Sequence, residues 1–126
     1  MKNTNNLREL FLRAIQISNL SEINDCLANG VSPNLRLDHE LNTPFHHAIH
    51  TQNSELINLL LAYNVDLTLK NKAGFTAIQL ASFNEDTEIL LKLAHLCQEK
   101  NILIIQEDKI ILNTYLPTYL PTYLPK

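Results

Sequence analysis

Apolar residues along this chain recur at helical rather than strand spacing. Leu56, Ile57, Leu60 and Leu61 fall at i, i+1, i+4 and i+5, the pattern of a helix that buries a broad stripe. A helix is therefore predicted from a cap at Ser54 to about Tyr63, with Asn64 as its stop. Asn suits the left-handed position just past a helix, and Gly30 holds the same place one unit earlier. A shorter helix is predicted over Pro44 to Thr51. Thr43 is a good N-cap for it, and Pro44 fits the first helical position, where its missing N–H costs no hydrogen bond. Leu7 to Ile17 keeps the helical period, with Arg8, Glu9, Arg13 and Gln16 on a polar face. The polar residues before Leu7 are expected to fray.

The helix pair repeats. Thr43 and Thr76, Ala48 and Ala81, Glu55 and Glu88, Ile57 and Leu90, and Leu60 and Leu93 are all 33 positions apart. Toward the N-terminus the offset becomes 34, linking Ala14 to Ala48, Ile23 to Ile57, Leu27 to Leu61 and Val31 to Val65. The extra residue falls between Leu35 and Asn42, where a loop absorbs it. One helix pair cannot cover its own apolar stripe, but stacked copies can. The pattern therefore predicts an all-α solenoid with turn-rich fingers between the pairs.

The residues at these positions resemble the ankyrin repeat. Asn42-Thr43-Pro44-Phe45-His46-His47-Ala48 is similar to that family's G-x-T-P-L-H-x-A core. Glu55-Leu56-Ile57-Asn58-Leu59-Leu60-Leu61 and Asn64-Val65-Asp66-Leu67-Thr68 continue the match. A further unit reads Gly74-Phe75-Thr76-Ala77-Ile78-Gln79-Leu80-Ala81 and Glu88 to Leu93, without the Pro and His. The first unit matches over Asn19 to Asn34 and keeps only helical periodicity before that. The resemblance covers residues 7–97 and implies about three repeats. These divide as 1–37 (a degenerate N-terminal repeat), 38–70 and 71–99. Leu41 stands where the family places a turn glycine, so that finger is expected to be distorted. Three units are close to the minimum for independent stability, so capped ends are needed.

Residues 100–113 fall outside the repeat and are expected to cap its open end. Two apolar runs, Ile102 to Ile105 and Ile110 to Leu112, flank Gln106-Glu107-Asp108-Lys109. That reads as a hairpin with a four-residue loop, with a single helix as the alternative. Residues 114–126 repeat Thr-Tyr-Leu-Pro three times. Proline at every fourth position excludes regular helix, so this tail is expected to be disordered, with a docking peptide as the other reading.

Composition narrows the function. A formal net charge of −3 leaves no basic excess for phosphates, so no nucleic-acid partner is expected. The longest apolar runs fall far short of the ~20 residues a membrane span needs, and no signal peptide is seen, so a cytoplasmic protein is expected, with export into a host cell by a route that reads no N-terminal signal as the alternative. A monomer is expected. Cys26 and Cys97 lie in no metal-ligand spacing and read as buried thiols. His46 and His50, four apart, have the geometry of a two-histidine metal site, but no third ligand or general base accompanies them. The resemblance implies instead that His46 bonds back to its own Thr and backbone. Without a phosphate loop or a nucleophile set, no enzyme and no cofactor are expected.

What remains is a protein-binding module. The resemblance implies contact through the finger tips and the exposed side of the first helices, which together form a concave face. Carried over by position, the contact residues are His39, Glu40, Asn42, His50 and Thr51 in one unit. In the next they are Lys70, Lys72, Phe75, Phe83 and Asn84. A histidine-based metal protein or enzyme, or a residual fragment of a longer repeat protein, are the competing readings.

Overall fold

A computed structural model describes residues 4–115. Thr114 and Tyr115, read as the start of the disordered tail, are instead helical, and the rest of the Thr-Tyr-Leu-Pro tail, 116–126, lies outside the described residues. Among the described residues seven helices follow in order: α1 (Thr4–Ile17), α2 (Leu20–Ala28), α3 (Pro44–His50), α4 (Ser54–Ala62), α5 (Ala77–Phe83), α6 (Thr87–Lys100) and α7 (Gln106–Tyr115). There is no strand among the described residues. The chain forms two compact units, Met1–Val65 with α1 to α4 and Asp66–Lys126 with α5 to α7.

In the first unit, α1 buries Leu7, Phe11, Ala14 and Ile15 and leaves Arg8, Glu9, Arg13 and Gln16 exposed. The helix begins at Thr4, so the helical turn extends ahead of the expected start at Leu7. α1 packs on α2, α3 on α4, and α2 on α4. Ile23, Cys26 and Leu27 of α2 and Leu56, Ile57, Leu60 and Leu61 of α4 supply the apolar stripes. Phe45, Ala48 and Ile49 of α3 are also buried. A fully buried Leu or Ile is worth about 1.5–3 kcal/mol relative to exposure, so the mutual burial of these stripes is the main attraction between helices.

The turn inside each pair has one design, repeated three times. Ser18, Gln52 and Glu85 are left-handed, with φ of 58°, 55° and 55°. The next residue, Asn19, Asn53 or Asp86, caps the second helix with its side-chain oxygen. The amide of that cap reaches back to the carbonyl of Ala14, Ala48 or Ala81 at 2.9, 2.9 and 3.0 Å. This is a Schellman closure of one helix running directly into the cap of the next. It corrects the sequence reading at one place: Asn53, not Ser54, is the N-cap of α4, accepting from Leu56 N at 3.0 Å. The Asn53 carbonyl already takes the amide of Ile57, so Ser54 is the first helical residue. The expected stops hold: Asn64 has φ 59° and Gly30 φ 101°.

In the second unit α7 packs on both α5 and α6. The expected hairpin is not formed. Residues 102–105 are irregular, with Ile104 buried and Leu103 exposed. The helix then starts at Gln106, with the Asp108 and Lys109 amides both bonded to the Ile105 carbonyl. The polar group read as a loop is the first turn of α7, where Glu107 and Asp108 suit the positive end of the helix dipole. Asp108 and Leu112, four apart, are both fully buried on its inner side.

Candidate functional site

Each unit carries a finger followed by a first helix, and the candidate contact residues sit on these elements. In the first unit the finger runs from Leu37 to Thr43. Leu37 N donates to Asn42 O at 2.7 Å and Leu41 N to Asp38 O at 3.0 Å. Asp38 Oδ1 accepts from Glu40 N and Asn42 N at 3.0 and 3.1 Å, and its Oδ2 from Asn42 Nδ2 at 3.2 Å. Burial opposes ionisation of Asp38, but the bonds from Asn42 and Glu40 outweigh it and hold the carboxyl below its ordinary 3.8. Leu41 takes the glycine's role with φ 60°, and Arg36 Nη1 donates to its carbonyl at 2.7 Å. Leu41 thus keeps the left-handed backbone that Gly74 has in the second unit; the two fingers differ instead in their closing bond, which spans five positions from Leu37 to Asn42 and four from Asn71 to Phe75.

The structure separates the five candidates of this unit into two kinds. His39, Glu40, His50 and Thr51 are exposed. Asn42 is half-buried and spends its side chain on Asp38 inside the finger. Thr51, the C-cap of α3, donates its hydroxyl to the His47 carbonyl at 2.9 Å. Leu41, exposed at 43%, is an apolar residue at the finger tip absent from the candidate set. The signal for it was a Leu at a position that requires positive φ.

The threonine-histidine pair closes the base of this finger. Thr43 N donates to His46 Nδ1 at 3.3 Å, and Thr43 Oγ1 lies 2.8 Å from the same nitrogen. In return His46 N donates to Thr43 Oγ1 at 3.3 Å, which completes a capping box. His46 is 2% exposed, whereas His50 is exposed. Among the described residues no three His, Cys, Asp or Glu side chains gather as a metal site.

In the second unit Asn71 organises the finger. Its amide donates to Phe75 O at 2.9 Å, its carbonyl accepts from Gly74 N at 2.9 Å, and its Oδ1 accepts from Phe75 N at 3.1 Å. Gly74, at φ 91°, supplies the left-handed turn that a side chain would resist. α5 then starts with its own capping box, Gln79 replacing the histidine: Thr76 N to Gln79 Oε1 and Gln79 N to Thr76 Oγ1, both 3.2 Å. Phe75 is half-buried and meets Phe83 edge to face, with centroids 4.8 Å apart and planes at 82°. Phe83 is 63% exposed. Lys70, Lys72 and Asn84 are exposed, and Asn84 caps the end of α5.

The hairpin reading puts Asp108 in a four-residue polar loop, and the structure overturns that. Asp108 is fully buried, and Thr76 Oγ1 donates to its Oδ2 at 2.7 Å. The Gln79 side chain also hydrogen-bonds it. Burial pushes its carboxyl above the ordinary 3.8 and Glu107 adds to that, while Thr76, Gln79 and Lys70 pull the other way without prevailing. It ties α7 to the start of α5, next to Phe75.

The comparisons agree with these repeated pairs. A family model for ankyrin repeats (many copies) matches residues 27–81. An ankyrin repeat protein of fowlpox virus is 32% identical over 82 residues, 65% of this chain and 13% of the viral protein. The Notch-regulated ankyrin repeat-containing protein A of Danio rerio is 27% identical over 89 residues, 68% of this chain and 80% of that protein. The ankyrin repeat and SOCS box protein 11 of Mus musculus is 32% identical over 88 residues, 60% of this chain and 27% of its own length. No helix among the described residues is long and apolar enough to cross a membrane. With two helix pairs opened by a Thr capping box and three joined by the same turn, the chain carries ankyrin repeats over residues 27–81.

Proposed function

We propose that this chain is a non-catalytic module that binds a protein partner through its fingers and first helices. Each unit offers its own set: His39, Glu40, Asn42, His50 and Thr51 on the first, and Lys70, Lys72, Phe75, Phe83 and Asn84 on the second. The observation that carries the reading is the Phe75–Phe83 pair, a supported aromatic step with Phe83 63% exposed. An anchored aromatic on a rigid element is the usual centre of a binding hot spot, because little side-chain entropy is lost when a partner covers it. Asn42 serves this surface by shaping the finger. Interfaces near the standard ~800 Å² per partner are within reach of so small a chain.

Affinity capture from cell lysate with the intact chain, beside a Phe75→Ala/Phe83→Ala double variant, tests the reading. Circular dichroism first establishes that the two are equally helical. A protein retained by the intact chain and lost with the variant is the expected result. Equal retention by both removes the aromatic step from the site.

A further inference from the structure

The finger that leads into α5 has a charge sign that the chain as a whole does not, and the first acidic residue after it is Glu85, two positions beyond Phe83. From Leu67 to Asn84 there are two lysines and no Asp or Glu, in a chain whose formal net charge is −3. The finger geometry brings that charge to the aromatics. The bonds between Asn71 and Phe75, at 2.9 and 3.1 Å, hold these two residues opposite one another. Lys70 and Lys72 flank Asn71, so both are carried beside Phe75, and both are exposed. Phe75 in turn supports Phe83 edge-on. The finger of the first unit is built differently, around Asp38 and Glu40, with a single Arg at position 36.

We infer that the Lys70–Lys72 finger with the Phe75–Phe83 step takes an acidic peptide segment of the partner, one apolar or aromatic side chain flanked by carboxylates. The apolar side chain covers the open face of Phe83, and the carboxylates approach the two ammonium groups. Lysine is a compact, flexible charge without a bidentate fork, so it suits carboxylates set at variable positions along an extended segment. Opposite charge at the rim of an apolar contact speeds association and rejects basic segments. A nucleic acid also joins phosphate to flat bases, but two cations on a net-negative chain neutralise too few phosphates to favour it. This inference rests on the interaction-module reading and specifies what that module recognises.

The test is selection of a displayed random-peptide library on the full chain. Enriched peptides are expected to be net negative with a central apolar residue. A labelled synthetic copy of the most enriched peptide is then titrated by fluorescence anisotropy. Lys70→Glu/Lys72→Glu weakens its binding by about tenfold or more, as does raising NaCl from about 0.05 to about 0.5 M. Phe83→Ala also weakens it, in a protein of unchanged helicity. Enrichment of neutral or basic peptides overturns the inference. Loss with Phe83→Ala but not with the lysine reversal overturns it while leaving the interaction module standing. Binding insensitive to both variants, or no enrichment, removes both readings. A labelled oligo-dT that binds in a lysine-dependent way, where the library yields nothing, replaces the peptide with nucleic acid.

Discussion

Replacing Asp108 with Asn changes the way stability depends on pH. The carboxyl is fully buried, with Thr76 donating to Oδ2 at 2.7 Å and Oδ1 left without a hydrogen-bond partner. α5 carries no ionisable side chain, and the charges acting on Asp108 are Glu107 on its own helix and Lys70 from the finger. Burial raises its proton affinity above that of the unfolded chain. The folded state then binds more protons than the unfolded state in the window above the ordinary value of 3.8. Stability from this group is whole below that value and is lost as pH rises through the raised folded value. One group changes stability by at most about 1.4 kcal/mol per pH unit in that window. Asn keeps the shape and an oxygen for Thr76 but does not titrate. Urea unfolding by circular dichroism from about pH 4 to about pH 8, run on both proteins, gives two profiles to subtract. Groups common to both cancel, and the wild type should lose ground to Asp108→Asn as pH rises from the acid end. A flat difference, or a wild type that gains, refutes the reasoning.

Three further outcomes are expected. Leu41 holds a φ of 60° that costs a non-glycine residue about 1 kcal/mol or more, so Leu41→Asn raises the unfolding free energy by about 0.5–1 kcal/mol, read as a higher urea midpoint at unchanged m value; a lower midpoint shows the backbone unstrained. Both amide atoms of Asn113 are buried without a hydrogen-bond partner among the described residues, so Asn113→Leu is stabilising by about 1 kcal/mol at unchanged m value. His47 is pushed below its ordinary 6.5 by burial and by His50, against the Ile15 carbonyl and Asp38. The folded state thus binds its proton less readily than the unfolded one, and the wild type loses stability as pH falls through 6.5. His47→Gln removes that loss, so the gap between the two proteins shifts in favour of the variant from about pH 7.5 to about pH 5.5.

The readings that held were those set by neighbours in the chain. Thr43 and Pro44 start α3, and Asn64 and Gly30 turn left-handed after α4 and α2. His46 returns to Thr43 as the resemblance implied. The misreadings have equally local causes. Ser54 and Asn53 are both good caps, and the choice fell to Asn53 because Gln52 turns left-handed and presents it to the Leu56 amide. The run from Ile102 to Leu112 fits hairpin and helix alike, since short apolar runs carry too few periods to separate them.

Helix periodicity, caps and the 33-residue recurrence reside in contacts between residues a few positions apart, and the sequence alone determined these. The burial of Asp108, by contrast, depends on a bond to Thr76 across 32 positions and on α7 lying against α5 and α6. No local pattern distinguishes that carboxyl from Glu107 beside it, which stays exposed. Likewise Phe75 precedes α5 and Phe83 ends it, so their contact depends on how the finger folds back. Which acid is buried and which aromatic stays open were decided only by tertiary packing, because solvent exclusion is a property of surfaces brought together from distant parts of the chain.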